Sequence, residues 1–260
     1  MKVWVRSFWA SKAGNTREEY EDAFYPKGMG KFYGDLLRFA VADGASEGML
    51  SGKWADILVK ILHRVRSPNL DPEDFLQRSY SAWNAWKAAY LKHRELHNKP
   101  IQWFEEPGLQ AGAFASFLVL TLLGSNEEPK IRWTAIALGD TCLFHMRDET
   151  LIKVFPIESS RDFNNRPLLV SSQPTRNSAA TQNIKKTEGE CISSDRFLLT
   201  TDALAHWFMR TYEAGRPPKQ ILPEPESLAQ PSTFNRWLEG LRREHEIRND
   251  DVTLIIIDII

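Results

Sequence analysis

The stretch VADGASEG, residues 41–48, decides how the rest of the chain is read. It closes an apolar run, LLRFAVAD at 36–43, on an acid, a glycine and then small polar residues. A buried strand that stops on Asp43-Gly44 places a carboxylate at a sheet edge and leaves a backbone carbonyl uncovered by any side chain. The same design recurs along the chain. EYEDAF carries Glu21 and Asp22, LLTTDAL carries Asp202, RNDDVTLI carries Asp250 and Asp251, and IALGDT offers Asp140. Taken singly, each reads as a solvated strand end or a turn cap. Together, at one edge of a sandwich, they would concentrate negative charge. That charge either forces a carboxyl group to keep its proton or draws in a hard divalent cation. An all-oxygen donor set suits Mg²⁺ or Mn²⁺.

The surrounding pattern says what kind of scaffold carries these acids. KVWVRSFWA alternates as a strand, and DAFYP is a second short one. From Gly48 to Val65 the apolar residues Leu50, Trp54, Ile57, Leu58, Ile61, Leu62 and Val65 fall on one helical face. Asp71-Pro72 is a helix start, an N-cap followed by proline, and the stripe Phe75, Leu76, Tyr80, Trp83 and Leu91 continues it. HNKPIQWFEEPG breaks that helix. AGAFASFLVLTLLG, IRWTAIALGD, TCLFHMRD and TLIKVFP follow as short strands, read as an antiparallel meander. Residues 158–183 show no period, which leaves either a functional loop or a surface excursion. RFLLTTD, a helix over 203–214, a helix over 230–245 and the apolar strand DDVTLIIIDII complete the chain. That last run has no alternation, so both its faces are covered. A sheet-on-sheet core with helices outside satisfies the pattern, as one domain over residues 1–260.

Composition excludes several classes. The net charge is −1 over 260 residues with both signs interspersed, so there is no basic field for nucleic acid and no polybasic membrane patch. No apolar run is long enough to span a bilayer, and MKVWVRSFWASK is too short and polar for a secretory signal. Cys142 and Cys191 make no disulfide framework and no zinc spacing, and fit reduced thiols in a cytoplasmic protein. The nine tryptophans read as core, since Trp54 and Trp83 sit on helix stripes.

Read in order, the acidic motifs resemble the type 2C, metal-dependent serine/threonine protein phosphatases, in particular their divergent bacterial members. TREEYEDAF is similar to the family's Arg-x-x-x-Glu-Asp opening and VADGASEG to its Asp-Gly box. GAFASFLVL stands where the family has a Gly-Thr-Thr strand, and ALGDTCLFHMRD resembles the Gly-Asp-Ser hairpin. FLLTTDALAHWF is similar to the strand ending Ser-Asp-Gly, and NDDVTLIII to the closing Asp-Asn-x-Thr strand.

The resemblance implies an α+β fold, a four-layer α/β/β/α sandwich of two antiparallel sheets flanked by helix pairs. It implies that Asp43 bridges two Mn²⁺ or Mg²⁺ ions, with Asp202 and Asp250 on one ion and Glu21 and the Gly44 carbonyl on the other. Asp140 is a candidate for a third ion. Asp22 would orient water at the centre, and Arg17 would clamp the substrate phosphate. The reaction would be hydrolysis of phosphoserine or phosphothreonine on a protein, by water activated between the ions. A monomer paired with a serine/threonine kinase is the implied setting.

The chain also departs from the family. Ala45-Ser46-Glu47 follows Gly44 where relatives carry a histidine, Ala203 replaces a glycine, His206 replaces a third-ion aspartate, and Asp251 replaces an asparagine. Two alternatives therefore stay open: a phosphatase-like module that binds phosphorylated partners, and a metal-dependent hydrolase of small phosphoesters.

Overall fold

Strand after strand in this chain is buried on both faces, and two sheets with helices outside are what such strands require. The computed structural model describes residues 1–46, 48–124, 131–148, 150–164, 166–228 and 230–260. The strands are β1 (Lys2–Ala10), β2 (Ala23–Tyr25), β3 (Met29–Tyr33), β4 (Leu36–Gly44), β5 (Phe114–Leu123), β6 (Ile131–Leu138), β7 (Cys142–Arg147), β8 (Thr150–Phe155), β9 (Val170–Ser171), β10 (Lys185–Cys191), β11 (Arg196–Thr200) and β12 (Val252–Ile259). The helices are α1 (Ser51–Arg64), α2 (Pro72–Leu96), α3 (Glu106–Ala111), α4 (Ser178–Gln182), α5 (Asp202–Glu213), α6 (Pro218–Ile221) and α7 (Pro231–Arg243).

One sheet runs β3-β1-β12-β11-β7-β8 and the other β10-β6-β5-β4-β2, with β9 pairing to β5. Every pairing is antiparallel. The inner faces meet in one buried cluster, including Val5, Phe39, Val41, Leu118, Leu120, Phe197, Leu199, Ile255 and Ile257. On the outside of the second sheet, Trp54, Leu58 and Leu62 of α1 and Phe75, Leu76, Tyr80 and Trp83 of α2 form another cluster with Phe117 and Val119. On the outside of the first, Leu204, Trp207 and Phe208 of α5 and Phe234 and Leu238 of α7 pack on Phe8, Phe144 and Ile256. The four layers are thus those expected, and Trp54 and Trp83 are core.

Three expectations need correction. The meander is not one sheet, because β5 and β6 pair with each other while β7 and β8 pair in the opposite sheet. The switch falls at Gly139, whose φ is +96° and where a Cβ would stand 2.4 Å from that of Ser116. Two strands, β3 and β10, were not expected. Both are edge strands with polar, largely exposed sequences, MGKFY and KKTEGEC, so neither presents a buried period. The 158–183 segment is not structureless. It carries 3₁₀ turns at Ser160–Asp162 and Pro174–Arg176, plus β9 and α4. Its buried Asn177 accepts from Ser171 N at 2.7 Å and donates to Tyr80 Oη at 2.7 Å, while Trp54 Nε1 donates to Val170 O at 3.0 Å. Those bonds hold it against α1 and α2.

Candidate metal centre

Register brings the acids to one end of the sandwich. In the first sheet Thr200 pairs with both Cys142 and Leu254, and Ala10 with Val252. Asp140 just before β7, Asp202 just after β11, Asp250 just before β12 and Lys12 just after β1 therefore share an edge. In the second sheet Gly44 pairs with Ala115, Leu138 with Phe117 and Ala23 with Ala42. That sets Asp43 beside the Glu21-Asp22 lead into β2. Asp43, Gly44, Asp140, Asp202 and Asp250 line one cavity of about 710 Å³, with Lys12, Ala45, Ser46, Asn164, Arg166, Pro167, Leu169, Arg248 and Asn249 completing its wall.

Glu21 and Asp22 do not line that cavity, but the Glu21 carboxyl is hydrogen-bonded with Ser46 of its wall. A Cβ on Gly44 would stand 2.7 Å from the carbonyl oxygen of Glu21 and 2.9 Å from Gly52 N, so only glycine permits this approach. Asp251 accepts from the backbone N–H of Glu21 and of Lys12, each at 2.7 Å, and ties the chain's first loop to its last. Asp22 is buried; its Oδ2 accepts from Thr253 Oγ1 at 2.8 Å, which in turn accepts from Tyr20 Oη.

The electrostatics are those of crowded, buried acids, with Arg248 compensating Asp202 and Asp250. Burial, and then the charges of Asp22, Asp140, Asp250 and Asp251, hold the Asp43 carboxyl well above the usual range. Burial likewise lifts Asp22, with Asp251 adding to it. Asp140 is pushed up to about 6, by burial first, with Asp250 adding and Arg248 opposing. Glu21 and Asp251 are raised too, each by burial first and then by neighbouring acids. Among the described residues, no three metal-ligating side chains are already closed around a common point. The donor set still fits a hard divalent cation. It is all oxygen, and Asp22 Oδ1 and Asp202 Oδ1 are buried with no hydrogen-bond partner.

Other residues fall elsewhere. Arg17 is exposed on a 3₁₀ turn, with its guanidinium 4.8 Å over the Trp9 ring. It lines a separate cavity of about 400 Å³ that meets the acidic one at Lys12. His206 lines a third cavity, of about 390 Å³, beside Arg210, Glu246 and Phe163. Glu47 lies outside the described residues. Arg166, Arg248 and Asn249 are wall residues that the sequence reading passed over. Arg248 stands two positions before Asp250 in RNDD, and an arginine against an acidic pair is the signal that was available.

No family model matches the chain, and no curated protein matches it in sequence. Solved structures do match. The Mycobacterium tuberculosis serine/threonine phosphatase PstP is 16% identical with a TM-score of 0.53, covering 100% of this chain and 99% of that one. The Staphylococcus aureus serine/threonine phosphatase Stp1 is 13% identical with a TM-score of 0.55, covering 98% and 94%. RsbX, crystallised in complex with magnesium, is 18% identical with a TM-score of 0.52, covering 100% and 96%. What is shared over that length is architecture: this chain has the fold of the type 2C phosphatases that its acidic motifs resemble.

Proposed function

We propose that the chain is a metal-dependent phosphatase that hydrolyses phosphoserine and phosphothreonine on proteins, with two Mn²⁺ or Mg²⁺ ions in the acidic cavity. The observation that carries this reading is the meeting of Asp43, Asp140, Asp202 and Asp250, from four separate segments, around one cavity. The fold supports it, because its solved neighbours include serine/threonine phosphatases and a protein crystallised with magnesium.

Bound ions would supply Lewis-acid polarisation of the phosphoryl oxygens and a lowered pKa for the attacking water. The chain's own residues do the rest. Asp43 would hold both ions, with Asp202 and Asp250 completing one site and the Gly44 carbonyl and Glu21 the other. Asp22, fixed by Thr253, presents its free Oδ1 to position water. Lys12, Arg166 and Arg248 give the wall its cations for a phosphate dianion. Arg17 reaches the phosphate only by leaving the Trp9 face. Cys142 and Cys191 are buried, and burial pushes both thiols well up, that of Cys191 to about 12, so neither serves as nucleophile. A kinase acting on the same serines and threonines is the partner this reading implies.

The test is Mn²⁺-dependent phosphate release from an aryl phosphate and from phosphopeptides, compared with nucleotides. Loss of release on chelation and in Asp43→Ala supports the reading; absence of turnover on every phosphoester with either ion overturns it. Phosphopeptide binding without release marks the binding module instead, a reading favoured by one observation, the pairing of Arg248 with Asp202 and Asp250.

A further inference from the structure

Arg248 sits where the proposed centre should be most acidic. Its Nη2 pairs with Asp202 Oδ2, and its Nε lies 3.4 Å from Asp250 Oδ2. One guanidinium thus bridges the two carboxylates that the proposed function gives to a single ion. We propose that Arg248 is a resident counter-cation: it fills the Asp202–Asp250 half of the centre when no ion is bound, and an ion must displace it to bind there. The inference rests on the metal-dependent reading above and adds a residue to it.

Charge and geometry support the exchange. Two carboxylates at one wall need compensation, and a planar fork of donors gives it without a metal. Displacement can happen in the side chain alone. The backbone is pinned on both sides, because Ile247 is buried in the cluster under α5 and α7, and Asn249 both accepts from Ala13 N at 2.8 Å and donates to Ala13 O at 3.2 Å. The Arg248 side chain is nevertheless 45% exposed, so rotation opens no core. It also has somewhere to go. Arg248 lines both the acidic cavity and the one beside it, where Glu246 offers another carboxylate. The second oxygen of Asp202 stays unpartnered even with Arg248 in place, so the guanidinium satisfies this half incompletely.

The experiment is calorimetric titration of Mn²⁺ alone into the parent protein and into Arg248→Gln and Arg248→Lys, with thermal melting of each in chelator and in Mn²⁺. Arg248→Gln should tighten the weaker of two Mn²⁺ sites about tenfold and leave the tighter one unchanged, since a half-exposed charge-assisted pair is removed. Arg248→Lys should fall between, keeping charge but not the fork. Arg248→Gln should melt lower than the parent in chelator and level with it in Mn²⁺. A purely structural arginine would lower both. Unchanged or weaker Mn²⁺ affinity in Arg248→Gln, with two ions bound by the parent, overturns this proposal and leaves the phosphatase reading standing. Failure of all three proteins to bind Mn²⁺ overturns both.

Discussion

Asp43 shows how one residue can weaken a fold while equipping it. Its carboxyl lies among Asp22, Asp140, Asp250 and Asp251, and burial raises its affinity for a proton before any of them does. Asp43→Asn removes the charge and keeps the shape. In chelator it should raise the melting temperature, by about 1 kcal/mol of stability, because one buried like-charge conflict disappears. In Mn²⁺ the order should reverse, with phosphatase activity down at least about 10³-fold. Melting curves with and without the ion check both signs. A variant less stable than the parent in chelator would show that the acids are already compensated. Asp195 is the opposite case. It is fully buried, which alone would raise its pKa, yet Arg147 and His145, with the N–H of Ile192, more than offset that and lower it. Arg147 Nε and Nη2 approach its oxygens at 2.7 and 2.8 Å, and His145 Nε2 at 2.9 Å. Asp195→Ala strands a buried imidazole and a half-exposed guanidinium, and should cost about 3 kcal/mol. Chemical denaturation measures it, and a loss under about 1 kcal/mol would mean that water replaces the carboxylate.

Among the elements, the 158–183 segment is where structure adds most to sequence. Asn164, Arg166, Pro167 and Leu169 line the acidic cavity, and Asn177 and Val170 anchor their segment to α1 and α2. Asn177→Ala removes the bonds to Tyr80, Ser171 and Gln173 together. It should speed proteolysis within 158–183 and raise the KM for phosphopeptides several-fold, while the KM for a small aryl phosphate moves less. Equal changes for both substrates would place the segment's effect on the chemistry itself. Sequence could not show this anchoring, because one buried asparagine and one tryptophan N–H carry it and neither leaves a period. Helices α1, α2, α5 and α7 and the inner strands were legible, since each buries an apolar face whose spacing is set by the element. The edge strands β3 and β10 were not, because solvent covers one side of them and apolar alternation fails. The acids at strand ends were visible as a recurring design. Which of them line the cavity was not, because that depends on register between strands far apart in sequence. Arg17 and Arg248 make the same point. Local sequence gives both a positive charge beside acids, and only the packing sends one to Trp9 and the other to Asp202.

For the whole molecule, the raised acids tie stability to pH. Carboxyls whose folded pKa lies above the unfolded value bind protons more readily when folded, so stability rises as pH falls through the folded values. Asp140, at about 6 against an ordinary 3.8, sets the window together with Asp43 and Asp22. In chelator, the melting temperature should climb as pH falls through about 6 and level off only near the ordinary 3.8, where the unfolded chain also protonates. With Mn²⁺ the trend should invert, because the ion competes with the same protons, and about 100-fold excess over Kd adds about 2.7 kcal/mol. A flat profile in chelator would sink the claim that burial and crowding raise these groups.

The sheet order carries one more consequence. The first strand of the chain lies hydrogen-bonded along the last, Val3 opposite Ile259 through to Ala10 opposite Val252. Asp251, beside that last strand, receives the N–H groups of Lys12 and Glu21. One long edge of β1 therefore stays unsatisfied until β12 is in place, and a pairing between segments so far apart in sequence forms slowly.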